Sequence, residues 1–182
     1  MLAWIDLEMT GLDPAQNVIV EIATLITNNR LEIIAEGPSL VIQASEGDLA
    51  KMDPFVLEMH TKSGLLEEIR KSEVTLEEAG KATLDFLQSH ISEENTVPLA
   101  GNSIGTDRRF LARWLPEIEN FLHYRCVDVS SIKELAKRWF PEVLEHAPKK
   151  NGGHRAMDDI KASVMELEFY RSKIFIEESP SS

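Results

Sequence analysis

Asp6, Leu7 and Glu8 set two carboxylates two residues apart at the end of an apolar, strand-like run. In a strand, residues i and i+2 face the same side, so Asp6 and Glu8 project together while Leu7 enters the opposite face. Two like charges there are unfavourable unless a positive charge lies between them. A divalent cation supplies that charge, and an all-oxygen donor set favours magnesium or manganese. A bare D-x-E is also what a solvated strand end looks like, so the pair needs partners from elsewhere in the chain.

Three candidates lie further along. Asp107 opens a helix just after the candidate strand Val97 to Gly101, at the sheet end where α/β proteins place their ligands. Alone, it reads as a helix N-terminal acid suited to the macrodipole. His154 follows Gly152-Gly153, a pair that allows close backbone approach. The last helix offers Asp158 and Asp159, and its periodicity separates them. Ala156, Ile160, Val164, Leu167, Arg171 and Ile174 form one stripe at helical spacing. Asp158 lies nearly opposite that stripe and faces solvent, whereas Asp159 sits at its border and can reach the sheet.

The remaining chain reads as the elements that carry these groups. Ala3–Glu8, Val18–Thr27 and Glu32–Gln43 are β-branched and apolar, separated by Gly, Pro and Asn punctuation. Helical patterns follow over Asp48–Met59 (broken near Pro54), Gly64–Lys71 and Thr75–Ile91, the last opened by a Thr75-x-x-Glu78 capping box. A helix containing Phe110, Leu111, Trp114 and Leu115 follows the strand Val97–Gly101. Then come a strand Cys126–Val129, a helix Ser131–Phe140, the loop Lys149–Gly153, and a long helix over about Arg155–Phe175. Strands first, then strands alternating with helices, predict an α/β domain with a mixed central sheet and helices on both faces.

Composition narrows the partners. The chain has 182 residues, a net charge of −12 and one cysteine, Cys126. No intrachain disulfide is possible, and the opening residues carry no basic leader, so a soluble cytoplasmic protein with no membrane attachment is the expectation. A protein gripping a long duplex neutralises roughly 6–10 phosphates with Lys and Arg. This acidic chain repels such a polyanion. Either nucleic acid is not the substrate, which composition alone favours, or it is short and met by metal ions and a few placed cations.

In order and separation, Asp6-x-Glu8, Asn102 to Phe110 around Asp107, and His154-x-x-x-x-Asp159 resemble the three motifs of the DEDDh 3′-to-5′ exonucleases. The text around them is similar to the oligoribonuclease group: Trp4-Ile5-Asp6-Leu7-Glu8-Met9-Thr10-Gly11-Leu12, His60-Thr61-Lys62-Ser63-Gly64-Leu65 and His154-Arg155-Ala156-Met157-Asp158-Asp159-Ile160. The resemblance runs from Met1 to about Phe175. It implies an RNase H-like fold in a single domain over residues 1–176, and the polar tail at 177–182 is expected to be disordered.

The resemblance also implies a mechanism and a substrate. Asp6, Glu8, Asp107 and Asp159 would hold two Mg2+ or Mn2+ ions, Asp6 bridging both, Glu8 and Asp159 completing one site and Asp107 supporting the other through water. His154 would be the general base. Leu12 and Phe55 match positions that wedge between or stack on the terminal bases, with Phe55 standing where the group usually has Trp. His60 matches a residue near the base pocket. Ser103, Tyr124, Arg125 and Ser130 match residues that cap the 5′ phosphate of very short oligoribonucleotides, the last three coming from the partner subunit of a homodimer. The products would be nucleoside 5′-monophosphates. A sister exonuclease acting on longer single strands shares the same catalytic five and is the alternative.

Overall fold

The computed structural model describes residues 1–148 and 155–175. His154, the loop ahead of it and the tail at 177–182 therefore lie outside the described residues. Strands β1 (Leu2–Met9), β2 (Ile19–Thr27) and β3 (Ile33–Val41) form an antiparallel meander. Strands β4 (Pro98–Gly101) and β5 (His123–Asp128) add in parallel on the other side of β1, giving the order β3-β2-β1-β4-β5. The mixed sheet expected from the sequence is thus present, with β1 at its centre. Because β1 and β4 are parallel, with Ala3 opposite Leu99 and Trp4 opposite Ala100, their C-terminal ends emerge at one edge.

Helices complete the fold: α1 (Glu46–Leu49), α2 (Pro54–Ser63), α3 (Leu65–Lys71), α4 (Leu76–His90), α5 (Gly105–Trp114), α6 (Pro116–Phe121), α7 (Val129–Trp139), α8 (Pro141–Leu144) and α9 (Ala156–Ile174). The alternation of β1 sorts them into two layers. Ala3, Ile5 and Leu7 pack with Leu87 of α4 and with Phe110 and Leu111 of α5. Trp4, on the other face, packs with Ala136 of α7 and with Ile160, Val164, Leu167 and Tyr170 of α9. Asp6 and Glu8 continue the Trp4 face, so the layer containing α9 is the one that reaches them. A smaller cluster, Leu49, Met52, Leu65, Leu66 and Ile69, seats α1 and α3 against Val20.

Local signals end the elements where the chain needs them. The Thr75 hydroxyl accepts from the Glu78 amide at 3.2 Å, and the Glu78 carboxylate accepts from the Thr75 amide at 2.8 Å, forming the expected capping box of α4. Asp53 caps α2 through the Phe55 amide at 2.8 Å, with Pro54 in the first turn. Gly64 sits at φ 80°, a left-handed joint that ends α2 and lets α3 start in a new direction.

Beyond shifts of one or two residues at element ends, the fold departs from the sequence reading as follows. The helix after β4 breaks at Leu115, and α6 begins at Pro116, where a prolyl ring suits a first turn. β5 starts three residues earlier than expected, because its first half is a polar, exposed edge without the apolar signature of a buried strand. The buried face of α9 includes Ser163, Glu166 and Tyr170, while Arg171 of the expected stripe is exposed and donates to the Arg30 carbonyl at 2.9 Å.

Candidate active site

The strand period and the α9 phase bring three carboxylates together. One oxygen from each of Asp6, Glu8 and Asp159 lies within 4.8 Å of the other two. Asp158, the neighbour rejected on helical phase, is exposed, whereas Asp159 is half-buried. Asp107 stands just outside this group. It is 6% exposed, and its Oδ1 accepts from the Leu7 backbone amide at 3.0 Å, fastening the first turn of α5 to the residue between Asp6 and Glu8.

Charge is crowded here. Burial, then the carboxylates of Asp159, Glu21 and Asp107, push the Glu8 carboxyl up to about 8, and Arg155 only partly opposes them. Burial likewise raises Asp107 well above the usual carboxylate range, against the hydrogen bond from Leu7. A protein gains nothing in stability from such an arrangement, and groups pushed this far by burial and like charge cluster at functional sites. The donor set is all oxygen, three carboxylates fit one or more small hard cations, and their mutual repulsion is what a divalent ion would offset.

Two supports hold the cluster in shape. The first is a clamp at the start of α9. Arg155 donates from Nη1 and Nη2 to the Glu68 carboxylate at 2.9 and 2.8 Å, and from Nε to Glu21 at 3.2 Å. Glu21, paired across the sheet with Glu8, also accepts from the Ala156 amide at 3.4 Å. It thereby stands in for a cap that the Arg155 side chain does not provide. Asp159 hangs from the same turn, its amide bonded to the Arg155 carbonyl at 3.0 Å. Arg155→Ala is expected to weaken Mn2+ binding by about tenfold or more, the usual loss when a residue orienting the ligands is removed. Calorimetric titration measures this, and unchanged affinity would show that Asp159 needs no clamp.

The second support is His60. His60 is fully buried, with Nε2 donating to the Met9 carbonyl at 2.9 Å and Nδ1 3.9 Å from Glu8 Oε2. It fastens α2 to the end of β1 beneath the cluster.

The other candidates divide by exposure. Leu12, after β1, and Phe55, in the first turn of α2, are 68% and 72% exposed, available faces for bases. Ser103 is exposed on the β4–α5 loop at φ 55°. Its amide donates to Asp128 Oδ1 and to Ser130 Oγ, both at 2.9 Å, and the two hydroxyl oxygens are 3.1 Å apart. Ser130 therefore stands beside Ser103 within one chain and needs no partner subunit to reach it. Tyr124 and Arg125 are exposed on β5, with the guanidinium carbon 5.3 Å from the tyrosine ring centroid. Glu166 is not singled out by the sequence, and Asn102 enters only as the first residue of the motif around Asp107. Their only local signal is a polar residue in the buried phase of α9 and one just past β4.

The family model described as Exonuclease (RNase_T) matches residues 3–167. Curated proteins similar to the chain include the oligoribonuclease of Corynebacterium glutamicum, 51% identical over 97% of this chain and 81% of that protein. The oligoribonuclease of Photobacterium profundum is 53% identical over 96% of this chain and 95% of that protein. Among solved structures, Exonuclease I from Methylocaldum szegediense superposes with a TM-score of 0.70 at 18% identity, covering 95% of this chain and 40% of that one. Exonuclease I of E. coli in complex with a dT13 oligonucleotide gives 0.71 at 15% identity, over 94% and 41%. The chain thus spans about two-fifths of those solved chains, and at such identity the likeness concerns the fold.

Proposed function

The chain belongs to the oligoribonuclease family of exonucleases, and from that premise we propose that it removes nucleoside 5′-monophosphates from the 3′ end of very short oligoribonucleotides. The observation that carries this reading is the convergence of Asp6, Glu8 and Asp159 at one sheet end. In this role the three carboxylates, with Asp107 behind them, hold the divalent cations, Mg2+ or Mn2+. Cations bound there neutralise phosphodiester charge and favour ionisation of a water molecule.

The chain's own residues supply the rest. His154, directly before Arg155 in the sequence, takes the proton of the attacking water as general base. Leu12 and Phe55 offer apolar and aromatic faces to the terminal bases, and stacking on an aromatic ring is worth about 1–3 kcal/mol per base. Ser103 and Ser130 meet the 5′ phosphate, together with Tyr124 and Arg125 from a second copy of the chain. A substrate capped at both ends is short by construction, which reconciles an acidic protein with a polyanion: few phosphates need neutralising.

A homodimer has support in the distribution of apolar surface. Tyr124 of β5, Leu135 and Trp139 of α7, and Phe140 at the start of α8 are all exposed. Large apolar side chains exposed on three consecutive elements, one of them an edge strand, support a second copy of the chain as their cover. Among the described residues, no helix is long and apolar enough to cross a membrane.

A 5′-phosphorylated RNA series from two to about ten nucleotides, a window scaled to single-strand binding sites, separates this reading from its sister. The expected result is cation-dependent release of 5′-monophosphates with kcat/KM highest for dinucleotides and falling with length. Turnover that holds or rises with length would reassign the enzyme to longer single strands while leaving its chemistry in place.

A further inference from the structure

Glu166 is 2% exposed in the middle of α9 and belongs to no part of the cation cluster. Three donors converge on its carboxylate: the Tyr170 hydroxyl at 3.0 Å, Asn102 Nδ2 at 3.2 Å and Lys133 Nζ at 3.1 Å. A carboxylate without its proton only accepts, so it dictates which way the Asn102 amide lies: nitrogen toward α9, oxygen toward the other side. Ser163 agrees with that polarity. Its hydroxyl donates to the Asp159 carbonyl at 2.7 Å, leaving its oxygen to accept from Asn102 Nδ2, also at 2.7 Å.

The chain of bonds continues outward. Asn102 Oδ1 accepts the Ser130 hydroxyl proton at 3.0 Å. Ser130 Oγ is then an acceptor, and it receives the Ser103 amide at 2.9 Å. The Ser130 proton is thus committed inside the protein. The Ser103 hydroxyl, exposed and 3.1 Å from Ser130 Oγ, has the one proton at this pair that can turn toward an incoming anion.

We infer that Glu166 is a positioning residue for substrate selection: through Asn102 it sets the direction of a hydrogen-bond chain ending on the Ser130 and Ser103 hydroxyls. This rests on the reading above in which that pair meets the 5′ phosphate. An amide in place of the carboxylate presents donors as well as acceptors. Asn102 can then turn over, its nitrogen facing Ser130, and the pair loses its single donor pattern. No step of hydrolysis is touched. What changes is how well the far end of a short substrate is told from an uncharged end.

The test compares 5′-phosphorylated with 5′-hydroxyl RNA dinucleotides for wild type, Glu166→Gln and Asn102→Ala, with melting temperatures taken alongside. Wild type is expected to favour the phosphorylated form. Glu166→Gln should raise KM for that form by about tenfold, the scale of one hydrogen bond to a charged group, with kcat for both forms and KM for the hydroxyl form within about twofold. Asn102→Ala cuts the same chain without altering α9, gives the same result, and decides the matter if Glu166→Gln fails to fold. A 5′-phosphate preference that survives in both variants overturns the inference and leaves the capping pair intact. An equal loss of kcat for both dinucleotides also overturns it, showing a merely structural carboxylate. A wild-type enzyme indifferent to the 5′ phosphate overturns the capping assignment and the inference with it.

Discussion

Glu8→Gln is expected to lower turnover by roughly a hundred- to a thousandfold, the range for losing one electrostatic stabiliser of the transition state, while leaving the cation-free protein more stable than wild type. Glu8 is buried, and its carboxyl is pushed up to about 8 by burial and by the carboxylates around it. The folded chain therefore holds this proton more tightly than the unfolded chain does. Below the ordinary value of 4.5 the group is protonated in both states and has no effect on the balance. As pH rises from there to about 8 the unfolded chain releases the proton first, and wild-type stability falls across that window. Glutamine has no proton to lose. In chelator the variant should match wild type near pH 4.5 and exceed it at pH 8, by about 1–3 kcal/mol once relaxation and water penetration are allowed for. At about 2–4 °C per kcal/mol for a chain of this length, thermal melting across pH resolves the gap. Manganese should then raise the melting temperature of wild type and not of the variant. A variant that melts below wild type at pH 8 in chelator would show that Glu8 is stabilised by something other than a bound cation.

Asp107 gives the second large effect, and two substitutions divide its roles. Its Oδ1 satisfies the buried Leu7 amide, and its charge adds to the crowding at Glu8. Asp107→Asn keeps an oxygen for Leu7 and removes the charge. It is expected to melt at or above the wild-type temperature and to lose at least about a hundredfold in turnover. Asp107→Ala also leaves the Leu7 amide without its partner, which costs about 1–3 kcal/mol, and so should lose the same activity and melt several degrees lower. Equal melting for the two variants would mean that Leu7 finds another acceptor and that α5 is not fastened to β1 through this bond.

How much of this was legible beforehand follows from what each signal depends on. Asp6 and Glu8 were placed by the period of a strand, and Asp159 was preferred over Asp158 by the phase of a helix; both are local rules, and the folded chain obeys them. The capping box at Thr75 is equally local. The burial of His60 is not legible in the sequence, because it depends on where α2 docks against β1, across 51 residues of sequence. The buried face of α9 was read one notch off, since Glu166 looks like a surface acid until Tyr170, Asn102 and Lys133 are seen around it. Asn102 lies 64 residues away from it. Long-range satisfaction of polar groups has no period, and one sequence carries no trace of it.

The proximity of Ser130 to Ser103 within a single chain has the same origin. The parallel pairing of β4 with β5 places Gly101 opposite Asp128, and the residues just beyond each strand end become neighbours. A loop and a helix start that look independent in sequence are one surface in the fold.

Crystals of the wild-type protein grown or soaked with Mn2+ and measured at the manganese absorption edge test the central claim most directly. Anomalous density seated among the carboxylate oxygens of Asp6, Glu8 and Asp159, and missing there in Glu8→Gln, is the result expected of a cation-dependent exonuclease. Density confined to scattered surface acids, with none between those three side chains, would contradict it.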